Sequence, residues 1–136
     1  MSQEIKKAPL TFSYNGSPEY HFDVRDADDA EKFEKATEDL QAAESLQAKD
    51  GKLSSLTRST CKLIKDFFAT CLGAEAVEAF FGGKDNLLQC NQAYVAFLNM
   101  VAQQRDEAMR LQMGLKASQG NRAQRRQGKR KRGGKK

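Results

Sequence analysis

Residues 80–88, Phe-Phe-Gly-Gly-Lys-Asp-Asn-Leu-Leu, separate two apolar segments that both have helical periodicity. Gly82 and Gly83 predict the end of the first helix, because glycine adopts without strain the left-handed conformation that closes a last helical turn. Asp85 is predicted to cap the second helix, because its carboxylate can accept hydrogen bonds from the first free backbone amides. The stretch therefore predicts two apolar helices joined by a tight turn.

This turn belongs to a series of four predicted helices. A helix over residues 53–72 is expected to be the main core helix, because its apolar residues fall on one side of a helical wheel. Those residues are Leu53, Leu56, Cys61, Leu63, Ile64, Phe67, Phe68, Cys71 and Leu72. A short helix over residues 74–81 precedes the turn, and a long helix follows it from Asp85 to about residue 118.

The first predicted helix, residues 27–48, differs from the others. Asp26 and Asp29 have the spacing of a capping box at its start. Its inward stripe is narrow and contains only two large side chains among Ala30, Phe33, Ala36, Thr37, Leu40 and Ala43. The outer face is acidic and rich in amides, which fits either a solvated surface or contact with a basic partner, including the chain's own C-terminal segment.

Two segments before this helix, residues 10–14 and 20–24, alternate apolar and polar residues as strands do. Asn15 and Gly16 between them favour the positive φ angles of a tight turn. An isolated two-stranded hairpin is only marginally stable in water, so we expect it to pack on helices. The predicted fold is α+β and mainly α, with an N-terminal β-hairpin packed on a bundle of three to four helices.

The length of 136 residues favours a single domain with one core. We predict a flexible N-terminus over residues 1–9, one hairpin-plus-helical domain over residues 10–118, and a disordered basic tail over residues 119–136. Hydrophobic content of 39% with 30% charged residues is typical of a folded soluble domain. The polar start and the lack of a long apolar run predict a cytoplasmic protein without a membrane span.

The charge of the chain is divided unevenly. Residues 119–136 contain nine basic residues and no acidic one; subtracting nine from the 23 Lys and Arg leaves 14 against 18 Asp and Glu, so residues 1–118 carry −4. A basic tail can bind nucleic-acid phosphates, an acidic protein or an anionic lipid surface, or it can act only as a solubilising terminus. The candidate residues for nucleic acid or an acidic partner are Arg122, Arg125, Arg126, Lys129, Arg130, Lys131 and Arg132.

Groups with reactive chemistry are few. The three cysteines, Cys61, Cys71 and Cys90, lack the spacing of a metal site, and His21 is the only histidine. We expect buried free thiols and an exposed His21. No nucleophile–base pair, phosphate-binding loop or metal-ligand spacing is visible, so the prediction is a non-enzymatic protein without catalytic residues, cofactor or metal.

The last part of the long helix keeps apolar residues beyond Gln104. They either pack on the hairpin or the first helix, or they form a surface for self-association or for a partner, because methionine adapts to irregular partners. The candidate partner-binding residues are Met109, Met113 and Leu115.

Several short motifs occur in a recognisable order: Phe22-Asp23-Val24, the acidic residues 26–36, Phe81-Gly82-Gly83-Lys84 before Asn86-Leu87-Leu88, and Asn121-Arg122-Ala123-Gln124-Arg125-Arg126. Together they resemble small proteins encoded among the tail genes of phages and prophages of Gram-positive bacteria. The resemblance implies a tail assembly chaperone that binds a tape-measure or other tail protein in the host cytoplasm during virion assembly. The alternative is a small nucleic-acid-binding regulator whose body dimerises and whose basic tail binds phosphates.

Overall fold

The computed structural model describes residues 8–47 and 50–114. Its longest helix is assigned as far as Lys135, but the side chains beyond Gly114 are not described. In this part of the chain the elements are β1 (Thr11–Phe12), β2 (Tyr20–His21), α1 (Ala27–Glu44), α2 (Leu53–Leu72), α3 (Ala74–Phe81) and α4 (Leu87–Lys135). This architecture confirms the predicted α+β, mainly helical fold with an N-terminal hairpin. The predicted disorder of residues 119–136 lies outside the described residues and stays a prediction.

The hairpin is built on the predicted Asn15-Gly16 turn. Both residues have positive φ angles, 56° and 76°, as a type I′ turn requires. The Ser17 amide donates to the Tyr14 carbonyl at 3.1 Å and closes the turn. The local sequence therefore determines how the chain reverses here.

The two strands are shorter than predicted. They pair antiparallel, with Thr11 opposite His21 and Phe12 opposite Tyr20. Three neighbouring backbone amides donate to side chains instead of to the opposite strand. The Tyr14 amide donates to Ser17 Oγ, the Asp23 amide to the Asp29 carboxylate and the Val24 amide to Gln104 Oε1. The Tyr14 bond lies within the turn, whereas the Asp23 and Val24 bonds replace strand pairing at the end of the hairpin that meets the helices.

The core is predominantly aromatic. All eight phenylalanines of the chain make ring–ring contacts, and Phe22, Phe68, Phe80 and Phe97 are completely buried. The Phe12 ring of β1 stacks on Phe68 at a centroid distance of 5.8 Å and meets Phe80 and Phe97 edge to face at 5.5 and 5.2 Å. Such pairs contribute about 0.5–1.5 kcal/mol each beyond their buried area, so the hairpin is part of the core rather than only a cover for it.

Gln104 joins the hairpin to α4 and is the only polar residue of the described chain that is fully buried. Its Nε2 donates to the carbonyls of Pro9 and Phe22, at 2.7 and 2.8 Å. Its Oε1 accepts from the Val24 amide at 2.9 Å. One side chain therefore satisfies three backbone groups at the ends of both strands, and we refer to these three bonds as the Gln104 clamp.

The ordered body begins earlier than predicted. Ala8, which we placed in the flexible N-terminus, is buried, and its amide donates to the Glu107 carboxylate at 2.7 Å. The adjacent Pro9 carbonyl belongs to the Gln104 clamp. The predicted boundary at residue 10 is thus wrong by two residues, because contacts with α4 hold this segment and the local sequence carries no sign of them.

The start of α1 contains half of the predicted capping box. Asp26 caps the helix by accepting from the Asp28 amide at 3.2 Å. The Asp29 carboxylate does not return to the Asp26 amide but accepts from Asp23 at 2.9 Å. The hydrogen bond between the Asp23 amide and the Asp29 carboxylate joins the first turn of α1 to the end of the hairpin. α1 ends at Glu44, earlier than the predicted residue 48.

The turn between α3 and α4 has the predicted glycines but a different cap. Gly82 is left-handed at φ 58°, and its amide donates to the Glu78 carbonyl at 2.8 Å. The cap of α4 is Asn86, whose Oδ1 accepts from the Gln89 amide at 3.0 Å, and the prediction of Asp85 is wrong. The Asp85 carboxylate instead forms an ion pair with Lys65 of α2 at 2.7 Å. This tertiary contact replaces the predicted hydrogen bond to the first amides of α4.

The apolar faces of α2 and α4 are narrower than predicted. Leu53 and Leu56 of α2 are exposed, and so are Leu87, Leu88 and Val95 of α4. The residues that α4 buries are Cys90, Ala93, Phe97, Met100, Val101 and Gln104. Periodicity identifies a face correctly, but the number of positions covered depends on which neighbours pack against it.

Replacing Gln104 by leucine tests the clamp. Leucine keeps most of the volume but leaves two carbonyls and one amide without their partner, so the free energy of unfolding should fall by about 3 kcal/mol or more. Urea denaturation of Gln104→Leu beside Gln103→Leu, which changes an exposed neighbour on the same helix, measures the difference. Equal stability of the two variants would contradict the role given to the clamp.

Candidate protein-interaction surfaces

An open groove of about 450 Å³ lies between α1 and α4. Its lining residues are Val24, Ala30, Phe33, Glu34, Thr37, Glu38, Arg105 and Ala108. Val24 and Phe33 are half-buried and pack against the core, with Phe33 edge to face on Phe67 at a centroid distance of 5.8 Å. The floor of the groove is therefore an exposed continuation of the hydrophobic core.

The groove exists because α1 packs on α2 while α4 is held by the hairpin. Ala36 of α1 is buried in the core cluster, whereas Ala30 and Thr37 on either side of it are only half-covered. On the other wall, Arg105 and Ala108 follow directly after the Gln104 clamp. The predicted inward stripe of α1 is thus only partly used for folding, and its remainder faces the groove.

A charged cluster fixes one end of the groove beside Val24. Arg25 pairs with Asp23 at 2.8 Å and lies 3.7 Å from the Glu107 carboxylate of α4. The hydrogen bond from Arg25 holds the pKa of the Asp23 carboxyl below its usual value. These contacts set the spacing between the hairpin end and α4.

The α1 wall of the groove is acidic. Ala27–Glu44 contains seven acidic and two basic residues, which gives seven minus two, a net charge of −5. Lys32 and Lys35 pair with Asp29 and Asp39. Glu34 and Glu38 on the groove rim have no ion-pair partner among residues 8–47 and 50–114. The α1 rim therefore carries two unpaired carboxylates above an apolar floor, and Arg105 is the basic residue on the facing α4 wall.

A second apolar surface runs along α4 on the side away from the core. It consists of the exposed residues Leu88, Val95, Ala102, Met109 and Met113, which we call the outer stripe. Successive helical residues are about 100° apart, which places Met113 about 140° around the helix from Ala108 in the groove. The groove and the outer stripe are therefore on different sides of α4, and they adjoin at Arg105, which lies about 40° from Met109.

The structure separates the residues predicted to bind a partner. Met109 and Met113 are 55% and 63% exposed, so they do not pack on the hairpin or α1. They belong to the outer stripe and not to the groove. Sequence reasoning did not identify the groove. Leu115 and the basic candidates Arg122, Arg125, Arg126, Lys129, Arg130, Lys131 and Arg132 lie outside the described side chains. The one sequence signal for the groove was the narrow stripe of α1.

The cysteines and the histidine form no recognisable reactive site in the described residues. All three cysteines are buried and free, as predicted, and His21 is exposed. Burial raises the pKa of the Cys71 thiol to about 12, with a smaller effect from the Asp29 carboxylate. Burial and the neighbouring Cys61 thiol raise the pKa of Cys90 to about 12. Thiols with such pKa values are poor nucleophiles near neutral pH.

Two further findings concern the described part of the chain. Over residues 8–47 and 50–114, no group of three or more histidine, cysteine, aspartate or glutamate side chains is placed to hold a metal ion. Within the same residues, no helix combines the length and apolar character that crossing a membrane requires.

Comparison with known proteins matches the chain to a family of unknown function (DUF6673), whose model aligns with residues 16–129. That span is most of the chain. The protein belongs to this family. The DUF6673 match includes every residue of the outer stripe and the whole of the groove lining. No curated protein and no solved structure matches the chain.

The buried thiols lead to a test of reactivity. At pH 8 a thiol with a pKa of about 12 is ionised to roughly one part in ten thousand, so Cys71 and Cys90 should react with Ellman's reagent far more slowly than free cysteine. In denaturant all three thiols should react at the rate of an unfolded peptide. Rapid reaction of Cys71 or Cys90 in the native protein would show that the thiol is accessible to the reagent and would support a role for it in chemistry.

Proposed function

We propose that this protein is a non-enzymatic phage tail assembly chaperone that holds an amphipathic helical segment of a tape-measure or other tail protein in the host cytoplasm. The observation that supports it most directly is the groove between α1 and α4, with its apolar floor and acidic rim. The tail-gene context comes from the resemblance in the sequence motifs, and the groove supplies a surface suited to that role.

The shape of the groove suits a helix. α1 and α4 form its two walls, and a partner helix laid between them would complete a three-helix arrangement and cover Phe33 and Ala108. Recognition of this kind uses apolar anchors spaced three, four and seven residues apart on the bound helix. The partner should therefore expose such a stripe before the tail is assembled.

The charge of the groove restricts the partner further. Glu34 and Glu38 lie one helical turn apart on the rim, within an element of net charge −5. Lysine or arginine residues on the side of a bound helix that faces α1 would be attracted to this rim, whereas the side that faces Arg105 of α4 should not be basic. An amphipathic helix that is basic on the side facing α1 is the occupant that fits.

The size of the groove supports reversible holding. Eight residues line it, whereas stable complexes use about 20–30 residues on each side. An interface of this size gives modest affinity, which suits a protein that must release its client when assembly proceeds. An obligate subunit would be expected to present a larger apolar surface.

The groove can be blocked by one substitution on its α4 wall. Ala108→Trp places an indole in the groove and should weaken binding to a co-expressed tape-measure protein at least tenfold, which corresponds to about 1.4 kcal/mol. Ala96→Trp is the matched control, because Ala96 is exposed on the same helix and outside the groove. Titration calorimetry or quantitative pull-down with both purified variants gives the comparison.

Different outcomes test the groove as the binding surface and the chaperone assignment itself. If the wild-type protein and Ala96→Trp bind the tape-measure protein and Ala108→Trp binds equally well, the groove is the wrong surface. If the wild-type protein shows no binding to a co-expressed tape-measure or other phage tail protein, the chaperone assignment is wrong. Circular dichroism of each variant shows that the fold is retained before binding is measured.

Nucleic-acid binding is a second candidate function, and the basic composition of residues 119–136 favours it. Nine positive charges can neutralise phosphates and release condensed counterions, so affinity should fall steeply as salt is raised. The segment contains no aromatic residue for base stacking, so binding should depend little on sequence.

Removing residues 119–136 tests this alternative. The full chain should bind single-stranded RNA or duplex DNA at low salt, with a logarithmic affinity that decreases linearly with the logarithm of salt concentration. The truncated chain should lose nearly all of this binding, while a chain with the nine basic residues replaced by glutamine controls for length. Binding that survives both changes, or no binding by the full chain at low salt, would exclude the tail as a nucleic-acid site.

A further inference from the structure

The outer stripe has a regular spacing that the groove and the proposed client do not explain. Leu88, Val95, Ala102 and Met109 follow one another at intervals of seven residues, and Met113 extends the same face. Single exposed apolar residues are normal on a protein surface. A seven-residue repeat keeps these side chains in line along one face, as one of the two apolar positions of a paired-helix heptad does. The residues three positions further on are polar except for Leu98, so the apolar seam is a single row.

We propose that the outer stripe pairs with the outer stripe of a second copy of this chain, with the two α4 helices antiparallel. A two-fold pairing uses the same surface on both copies, so each contact occurs twice. The helices cross between Leu98 and Asn99. This register places Leu88 opposite Met109 of the other copy and Val95 opposite Ala102.

The side-chain sizes fit this register. The narrow contact between Val95 and Ala102 lies near the crossing point, where the two helices approach most closely. The larger Leu88 and Met109 lie towards the ends, where the helix axes diverge. Leu88 is 65% exposed and Met109 55% exposed in the single chain, so both gain substantial coverage from pairing.

The flanking polar residues favour the antiparallel direction. In the proposed register the Arg105 guanidinium of one copy lies level with the Gln92 amide of the other, and Asp106 lies level with Asn91. A parallel pair in register would bring Arg105 beside Arg105 and Asp106 beside Asp106. It would also begin the two segments of nine basic residues at the same end of the dimer, and like charges at that distance repel.

The surface is small for a permanent dimer. In this register the outer stripes face each other over residues 88–109, roughly 33 Å of helix, and a helix is about 10 Å wide, which gives a footprint of about 330 Å² on each copy. Standard stable interfaces use about 800 Å² per partner. The dimer should therefore be weak and concentration dependent, and the groove on the other side of α4 stays open in it.

Sedimentation of the full chain over a range of micromolar to millimolar concentrations tests the pairing. The weight-average mass should rise from that of a monomer towards twice that value. Val95→Lys combined with Met109→Lys should weaken association at least tenfold, because it brings charges into the apolar contact. Gln89→Lys combined with Gln103→Lys adds the same charge to other faces of α4 and should leave association unchanged.

Cysteine pairing determines the direction of the helices, since the three native thiols are buried. A mixture of Leu88→Cys and Met109→Cys chains should form a mixed disulfide on mild oxidation, and Leu88→Cys alone should not cross-link. Efficient cross-linking of Leu88→Cys with itself would overturn the antiparallel arrangement. A monomer at every concentration, or equal association of the two lysine pairs, would overturn pairing through the outer stripe.

Discussion

A buried amide determines how this small fold is held together. Gln104 donates to the carbonyls of Pro9 and Phe22 and accepts from the amide of Val24, so both ends of the hairpin are joined to one point of α4. A two-stranded hairpin is marginal by itself, and these bonds give it a fixed position on the helices. The position in turn brings the Phe12 ring among the aromatic rings of α2, α3 and α4. A buried polar group of this kind specifies one arrangement, because any other leaves three backbone groups without partners.

The same contact connects the fold to the candidate groove. Val24 is both a member of the Gln104 clamp and part of the groove lining, and Arg105 and Ala108 lie within the next turn of α4 after Gln104. Glu107, on that same turn, holds the Ala8 amide and lies beside Arg25. Seven of the eight lining residues of the groove lie on α1 or α4, and the eighth, Val24, lies in the turn before α1 and is held by the clamp. A binding surface on such a base needs little ordering when a partner arrives, which lowers the entropic cost of association.

α4 presents different chemistry on its different sides. One side carries Phe97 and Gln104 into the core, and Ala108 on the adjoining turn faces the groove. The opposite side carries the outer stripe. A client in the groove and a second copy on the outer stripe would therefore share only Arg105, which lines the groove and flanks the outer stripe. The acidic α1 and the basic residues 119–136 add a strong charge asymmetry, which favours partners with separate acidic and basic regions.

Local sequence was sufficient for the elements whose chemistry is local. Asn15 and Gly16 specify the type I′ turn, Asp26 caps α1, and Gly82 ends α3, because each depends on backbone conformations and hydrogen bonds within a few residues. Helical periodicity likewise predicted the four helices. The burial of all three cysteines followed from their places in apolar segments.

Tertiary contacts decided the rest. Asp85 has the chemistry of a cap, but Lys65 takes its carboxylate and Asn86 caps α4 instead. Leu88 and Val95 have the periodicity of core residues, but no neighbouring element covers them. The groove also depends on the spacing of α1 and α4, which are far apart in sequence. Periodicity reports which residues share a face of one helix, whereas coverage of that face depends on the other elements that reach it.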